Sequence, residues 1–243
     1  MGEALQLELS VILPVYNEEE CIRAVIAELD LVLEGLAIQS EIVAVDDGST
    51  DATAEILTEL AGEIPRLRVV LHPQNAGQSE AFGTGFRSAR GQLMITMDAD
   101  GQNDPADIPR LLEALPGFDC VAGYRAGRRD GLSKRWGSWL ANAVRNAVLG
   151  EKIIDTGCSL KLFRSGLVRG LEVWDGFHRF FPSLFLLQGA RLRQVAVNHR
   201  ARRTGSSKYG NLSRLVKTVP HLFFVRRMKR HQQEAAQQGA RGE

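Results

Sequence analysis

Apolar residues recur along the first hundred positions in short unbroken runs, each followed by a longer segment with helical spacing. Leu9-Ser10-Val11-Ile12-Leu13 reads as a buried strand closed by Pro14. Ile22, Val25, Ile26, Leu29, Val32, Leu33 and Leu36 then follow at helical spacing. Asn17 is the expected N-cap of that helix, with Glu18, Glu19 and Glu20 in its first turn, where the helix dipole favours acids. Glu41 to Val45 is a second strand, ending in Asp46-Asp47-Gly48-Ser49-Thr50-Asp51, and Ala54, Ile56, Leu57 and Leu60 mark a second helix. Arg68 to Leu71 is a third strand; it leads through His72-Pro73-Gln74-Asn75-Ala76-Gly77 into a helix expected from about Gln78 to Ser88. The run Leu93 to Met97, preceded by Gly91, is a fourth strand, and Asp104-Pro105 opens a further helix, proline being favoured in the first turn. This βα alternation predicts an α/β fold with a Rossmann-like, mainly parallel sheet flanked by helices. Such sheets bind ligands beyond the carboxyl ends of their strands, where Asp46, Asp47, Asp98 and Asp100 all fall.

The second half is less regular. Cys120 to Gly123 reads as a strand, followed by a loop from Tyr124 to Arg135 that carries Arg125, Arg128, Arg129, Lys134 and Arg135. A helix then presents Trp136, Leu140, Ala143, Val144 and Ala147. Asp155-Thr156-Gly157-Cys158-Ser159 opens a stretch ending in Lys161-Leu162-Phe163-Arg164, and Leu192 to Asn198 alternates as an edge or hairpin strand. Near the C-terminus Leu212, Leu215, Val216, Val219, Leu222, Phe223 and Val225 form an apolar stripe accompanied by Arg214, Lys217, Arg226, Arg227, Lys229 and Arg230. Two uses of this segment stay open, an in-plane membrane helix and packing on the chain's own core. Pro220 is expected to kink or divide it, and the polar tail from Gln232 to fray.

Composition narrows the class. The 243 residues are 44% hydrophobic and 24% charged, ordinary for a soluble globular protein. No apolar run approaches the roughly 18 residues of a bilayer span, and the first ten residues lack the basic region of a secretion signal. Cys21, Cys120 and Cys158 are far apart and form no C-x-x-C pair, so reduced thiols are expected, not zinc ligands or a disulfide frame. The net charge of +1 conceals an asymmetry: residues 176–233 contain thirteen Lys or Arg and no Asp or Glu. That third of the chain is suited to an anionic partner. It lacks the aromatic-basic interleaving or reading motif of a nucleic-acid binder, which excludes that class.

The chemistry concentrates at Asp98-Ala99-Asp100-Gly101-Gln102. Two carboxylates one residue apart at a strand end are unfavourable unless paired or holding a cation. With the Gln102 oxygen beside them, these hard ligands suit Mg²⁺ or Mn²⁺, leaving coordination positions for phosphate oxygens.

Together these stretches resemble the family-two glycosyltransferases, inverting metal-dependent enzymes with the GT-A fold. Leu13-Pro14-Val15-Tyr16-Asn17-Glu18, Val45-Asp46-Asp47-Gly48-Ser49-Thr50-Asp51 and Met97-Asp98-Ala99-Asp100-Gly101-Gln102 carry the likeness. Within the family the chain is most similar to polyprenyl-phosphate sugar transferases of the dolichol-phosphate mannosyltransferase group. That narrower likeness rests on Asn75-Ala76-Gly77-Gln78, Gly123-Tyr124-Arg125, Asp155-Thr156-Gly157-Cys158, Phe177 to Pro182 and His199 to Tyr209. The resemblance implies a catalytic domain over 1–211; the basic amphipathic segment and polar tail over 212–243 follow it, with peripheral membrane contact expected through 212–230 from its own residues. The resemblance also implies that Pro14, Tyr16 and Glu18 hold base and ribose, with Asp46 on the base side and Ala99 at the donor. Asp98, Asp100 and Gln102 would hold Mg²⁺ or Mn²⁺, and Arg125, Arg202 and Lys208 would meet phosphate charge. Asp100 and Asp155 are the candidate catalytic residues. Asp155 is either a general base for a hydroxyl acceptor or an orienting group beside an acceptor that is already ionised. His178 is either a proton carrier or a structural histidine, and Cys158 is expected to pack.

The function so implied is inverting transfer of a sugar from a UDP- or GDP-linked donor to a polyprenyl phosphate, peripherally at the cytoplasmic membrane face. Two other readings stand beside it: a transferase acting on a saccharide or other hydroxyl acceptor, and a non-catalytic lipid- or phosphate-binding subunit. The intact Asp98/Asp100/Gln102 set argues against the second. Nothing in the sequence fixes the donor base, the sugar or the oligomeric state.

Overall fold

The computed structural model describes residues 7–126, 132–201 and 211–239, with side chains described except at 132–140, 211–218, 233 and 235–239. Seven strands form one sheet: β1 (Leu9–Val15), β2 (Ser40–Asp46), β3 (Leu67–Leu71), β4 (Leu93–Thr96), β5 (Cys120–Arg125), β6 (Lys161–Arg164) and β7 (Leu192–Val197). Their spatial order is β3-β2-β1-β4-β6-β5-β7. β1 to β4 are mutually parallel, β6 runs antiparallel between β4 and β5, and β7 is parallel to β5 at the edge. The helices are α1 (Ile22–Glu34), α2 (Thr53–Glu63), α3 (Gln78–Ser88), α4 (Ile108–Ala114), α5 (Leu132–Leu149), α6 (Phe181–Leu187) and α7 (Asn211–Gly239).

β1 and β2 are almost wholly buried because the sheet is covered on both faces, which is why their sequences are continuous apolar runs. Alternate residues separate into two cores. Leu9, Val11, Leu13 and Val15 meet Ile22, Ile26 and Leu29 of α1 on one face. Ile12, Val43 and Val45 meet Phe82 of α3 and the aromatic cluster of Phe163, Phe177, Phe181 and Phe185 on the other. Phe163 and Phe185 pack with ring centroids 4.9 Å apart, and Phe177 meets Phe181 edge-on at 5.1 Å. The strand order reverses between β1 and β4, so the crevice beyond their carboxyl ends is the topological switch point. Val15 is level with Asp46, and Ile12 with Thr96, which brings Tyr16, Asp46 and Asp98 to one edge of the sheet.

The expected mainly parallel α/β sheet is present, and α3 has the bounds read from the sequence. Four local expectations are corrected. Helix α1 starts at Ile22 after Cys21, with no acid in its first turn; Asn17 does not cap it but takes a left-handed conformation (φ 53°) and bonds to another loop. The loop expected to run from Tyr124 to Arg135 is shorter at both ends, because β5 extends to Arg125 and α5 begins at Leu132. Lys161–Arg164 is a sheet strand held on both sides, and of the two readings for the last strand the edge one holds: β7 is the edge strand, parallel to β5. α7 is not divided at Pro220; Leu222 and Val225, just beyond it, are anchored in the second core. The expected fraying from Gln232 is absent too, as α7 continues to Gly239.

Of the two uses weighed for the C-terminal stripe, packing on the chain's own core is the one the described residues show. Leu222 and Val225 pack inward, and Trp174 packs against His221 at a tilt and Phe224 edge-on, with centroids 4.9 and 5.6 Å away. Val219, Phe223, Phe224 and Met228 are exposed. No helix among the described residues is long and apolar enough to cross a membrane.

Candidate active site

A cleft of about 430 Å³ opens beyond β1, β2 and β3, lined by Tyr16, Asp46, Gly48, Ser49, Thr50, Ala54, Leu71, His72, Pro73, Gln74 and Asn75. Asp46 is 2% exposed at its base and is fixed by Ser49, whose hydroxyl donates to Oδ1 at 2.5 Å and whose N–H donates to Oδ2 at 3.1 Å. The loop after β1 is zipped to the loop after β2. Asn17 N–H donates to Ser49 Oγ, Thr50 N–H to Asn17 Oδ1, Glu18 N–H to Thr53 Oγ1, and Ala52 N–H to the Glu19 carboxylate. These bonds explain the left-handed Asn17, the one non-glycine residue with positive φ among those described. Pro14 lies within β1 below the cleft, and Tyr16 lines it. Glu18 is not a lining residue; its carboxylate accepts from the Cys21 thiol.

The second carboxylate group follows β4. Asp98 Oδ1 accepts from Gln78 Nε2 at 2.9 Å, and Asp100 Oδ1 accepts from the Gln102 N–H at 3.1 Å. Burial first, and then the negative charge of Asp100, push the Asp98 carboxyl up to about 6; Ser159, Lys161 and Arg125 oppose this. A buried carboxylate with a second one beside it is a natural cation seat. Among the described residues no group of three or more His, Cys, Asp or Glu forms a ready-made cage. The hard oxygen donors present, Asp98 and Asp100 with Gln102 nearby, fit a Mg²⁺-like ion held by one or two carboxylates and completed by phosphate oxygens. Ala99 is buried between the two acids, its carbonyl accepting from the Cys21 thiol. The Gln102 amide lies 3.5 Å from His199 Nε2 and from the Arg200 carbonyl.

A strap holds that loop from behind. Arg200 forks onto Glu28 at 2.6 and 2.7 Å and reaches Asp104 at 2.7 Å, while its N–H donates to the Gln102 carbonyl. Asn103 bridges to His199. Neither Arg200 nor His199 was singled out as a site residue by sequence; the partners of Arg200 are 172 and 96 positions away.

Arg125 ends β5 and grips Asp155 with both arms. Nε donates to Oδ2 at 2.6 Å and Nη2 to Oδ1 at 2.9 Å; the Gly157 N–H adds a bond to Oδ1 at 3.0 Å. A Cβ on Gly157 would fall 2.8 Å from Arg125 Nη2, so a side chain there would push on the outer arm of the fork. Lys161, 4% exposed, donates to the Cys158 carbonyl; burial pulls its ammonium down, and Cys158, Asp98 and Asp155 oppose the shift. Cys158 packs in the first core as expected, and all three cysteines are buried thiols. His178 is placed as a structural histidine, its Nδ1 2.9 Å from Ser79 Oγ and its ring against Phe82. Arg202 and Lys208, expected at the phosphates, lie outside the described residues, as do Arg128 and Arg129 and the side chains of Lys134 and Arg135.

A switch-point cleft with an acid at its base and a pair of carboxylates beside it belongs to an α/β fold of the GT-A type. Residues 10–171 match the family described as glycosyl transferase family 2, and the chain belongs to that family. It is 37% identical over 225 residues to the dodecaprenyl-phosphate galacturonate synthase of Rhizobium johnstonii, covering 90% of this chain and 66% of that protein. It is 39% identical over 204 residues to the undecaprenyl-phosphate 4-deoxy-4-formamido-L-arabinose transferase of Edwardsiella ictaluri, covering 83% and 62%. The chain thus spans just under two thirds of the length of these relatives. Among solved structures, glucosyl-3-phosphoglycerate synthase from Mycobacterium tuberculosis in complex with Mn²⁺, UDP and phosphoglyceric acid superposes with a TM-score of 0.71. The two are 23% identical, and the match covers 90% of this chain and 78% of that one. The same enzyme with Mg²⁺ and UDP gives 0.69 at 21% identity. These neighbours share the GT-A fold.

Proposed function

We propose that the chain transfers a sugar, with inversion, from a nucleoside-diphosphate donor to a polyprenyl phosphate at the cytoplasmic face of a membrane. The observation that carries the acceptor class is the Arg125–Asp155 fork. A carboxylate whose two oxygens are both occupied by a guanidinium is a weak general base, which a hydroxyl acceptor would need. A phosphate monoester ionises a second time near pH 6, by analogy with phosphoserine, and arrives as its own nucleophile. Asp155 then serves to aim Arg125. The relatives named above act, by their names, on dodecaprenyl and undecaprenyl phosphates.

In this reading Tyr16 and Asp46 receive the base, with Pro14 and Glu18 shaping the loops around it. Asp98, Asp100 and Gln102 would hold Mg²⁺ or Mn²⁺, which when bound would neutralise diphosphate charge and ease departure of the nucleoside diphosphate. Arg125 orients the acceptor phosphate, and Arg202 and Lys208 add positive charge at the phosphates. A phosphate oxygen attacks the anomeric carbon from the face opposite the leaving group. The new C–O bond forms as the bond to the diphosphate breaks, and no proton needs to be removed. Residues 1–211 form the catalytic unit. The segment 212–230 meets the membrane through Val219, Phe223, Phe224 and Met228, with Arg226 and Arg227 beside them.

The test is incubation with Mn²⁺, labelled UDP- and GDP-sugars and a short polyprenyl phosphate, read by extraction into organic solvent. Label in the organic phase is expected; label transferred only to water-soluble acceptors would overturn the lipid reading. Vesicles containing anionic lipid should sediment the protein at low salt. Phe223→Ser/Phe224→Ser should release most of it, since burying each ring contributes roughly 1.5–3 kcal/mol.

A further inference from the structure

The far wall of the donor cleft is the loop joining β3 to α3, and this loop hangs on a buried carboxylate that lines nothing. Asp47 follows β2 and is 2% exposed. Its Oδ1 accepts from the Ala76 N–H at 2.9 Å and faces His72 Nδ1 at 2.9 Å. Its Oδ2 accepts from Asn75 Nδ2 at 2.9 Å and from the Gly77 N–H at 2.8 Å. Because a carboxylate only accepts, His72 carries its proton on Nδ1, and in the neutral ring Nε2 then accepts from the Thr84 hydroxyl, 3.0 Å away in α3. The imidazole thereby stitches the loop to the helix. Gly48 (φ +66°) lets the two loops touch backbone to backbone; a Cβ there would lie 2.4 Å from the Gln74 carbonyl carbon and 2.6 Å from the Asn75 nitrogen. At the other end of the segment, Gln78 opens α3 and donates to Asp98 Oδ1.

A buried carboxylate must have its lone pairs filled, and here all of its donors come from one six-residue stretch. His72, Gln74 and Asn75 line the cleft, whereas Asp47 and Thr84 do not. We infer that His72–Gln78 is one rigid bracket, hung on Asp47, that sets the width of the base cleft at one end and aims the Asp98 carboxylate at the other. Asp47 and Thr84 are thus positioning residues for both halves of the donor, though neither touches it. This inference rests on reading the cleft as the donor site.

The experiment uses the full chain and two separate probes. Metal-free UMP and GMP, by calorimetry, read the base cleft; Mn²⁺ alone, by electron paramagnetic resonance, reads the carboxylate pair. Asp47→Asn keeps the shape but turns an NH₂ toward N–H donors. It is expected to weaken both the bound monophosphate and Mn²⁺ by about tenfold, the scale of one lost buried hydrogen bond. Gln78→Ala should weaken Mn²⁺ alone. Thr84→Val, which leaves the fold's packing in place, should weaken the monophosphate by roughly threefold through the released imidazole, and it carries the test if Asp47→Asn does not fold. Native protein that binds neither UMP, GMP nor Mn²⁺ would refute the donor-site reading itself. Native protein that binds them, with folded Asp47→Asn or Thr84→Val binding equally well, would overturn the bracket alone.

Discussion

The two ends of the sheet bury opposite charges. On the β2–β3 side, Glu41, Asp46 and Asp47 are each at most 3% exposed; hydroxyl, backbone N–H and side-chain donors fill the oxygens of Asp46 and Asp47, while Arg68 pairs with Glu41 at 3.0 Å. On the β5–β6 side the buried groups include two cations, Lys161 and Arg145. Arg145 bonds Ser183 Oγ at 2.5 Å and lies over the Phe180 ring, with no hydrogen-bond partner for Nε and Nη1 among the described residues. Burial brings its guanidinium down to about 10. The buried carboxylate there, Asp155, is held by Arg125. Buried anions with complete hydrogen bonding make a rigid wall, which suits a neutral base and ribose. A positive interior behind Arg125 suits an anion arriving from outside. In the proposed reading, the difference separates donor from acceptor by the sign of the buried charge as well as by position, with the Asp98–Asp100 pair on the seam.

Removing the seam should have the largest effect. Asp100→Ala is expected to lower kcat/KM by about a thousandfold, since several kcal/mol of leaving-group stabilisation are lost with the cation. The fold should survive, because a charge repulsion is relieved; calorimetry should show nucleoside diphosphate binding losing its metal dependence. On the acceptor side, Arg125→Met should cost about ten- to a hundredfold in kcat/KM, the scale of one charge-assisted phosphate contact. Donor affinity, measured separately with nucleoside diphosphate and Mn²⁺, should be nearly unchanged. A comparable loss of donor affinity would erase the division between the two ends.

Acidity sharpens the same comparison. The Asp98 carboxyl is raised from 3.8 to about 6, so in the folded, metal-free chain it holds its proton more tightly than when unfolded. Its contribution to stability is fully present below pH 3.8 and is lost as pH rises through 6. A cation competes with that proton, so Mn²⁺ affinity should rise by up to about tenfold per unit below pH 6 and level off above it. Affinity flat between pH 5 and 7 would remove Asp98 from the cation seat.

The contrast also explains what was legible in the sequence. β1, β2 and β4 announce themselves because strands covered on both faces are unbroken apolar runs, and Asp46 and Asp98 stand at their ends. β6 is four residues long and is a strand only because β4 and β5 flank it, a relation no local pattern carries. Asn17 looked like a helix cap because its chemistry is that of a cap, but a partner 33 positions away claimed its side chain. Asp155 was seen as a candidate base, while the guanidinium that disarms it comes from 30 positions earlier. Asp47 and His72 lay in quoted stretches without a role, and the signal was the cluster itself: an acid, a histidine and Asn-Ala-Gly in loops that face one another only in the folded sheet.

The central claim, that the acceptor arrives ionised and Asp155 only seats Arg125, is tested most directly by Asp155→Asn assayed with polyprenyl phosphate from pH 5 to 8. The account expects a loss of about tenfold in kcat, from a loosened Arg125. Native and variant should share the same fall on acidification near pH 6, where the acceptor phosphate takes up its second proton. A loss near the ten-thousandfold scale seen when a base's supporting carboxylate is removed, with the acid limb of the profile abolished, would make Asp155 the base and contradict the account.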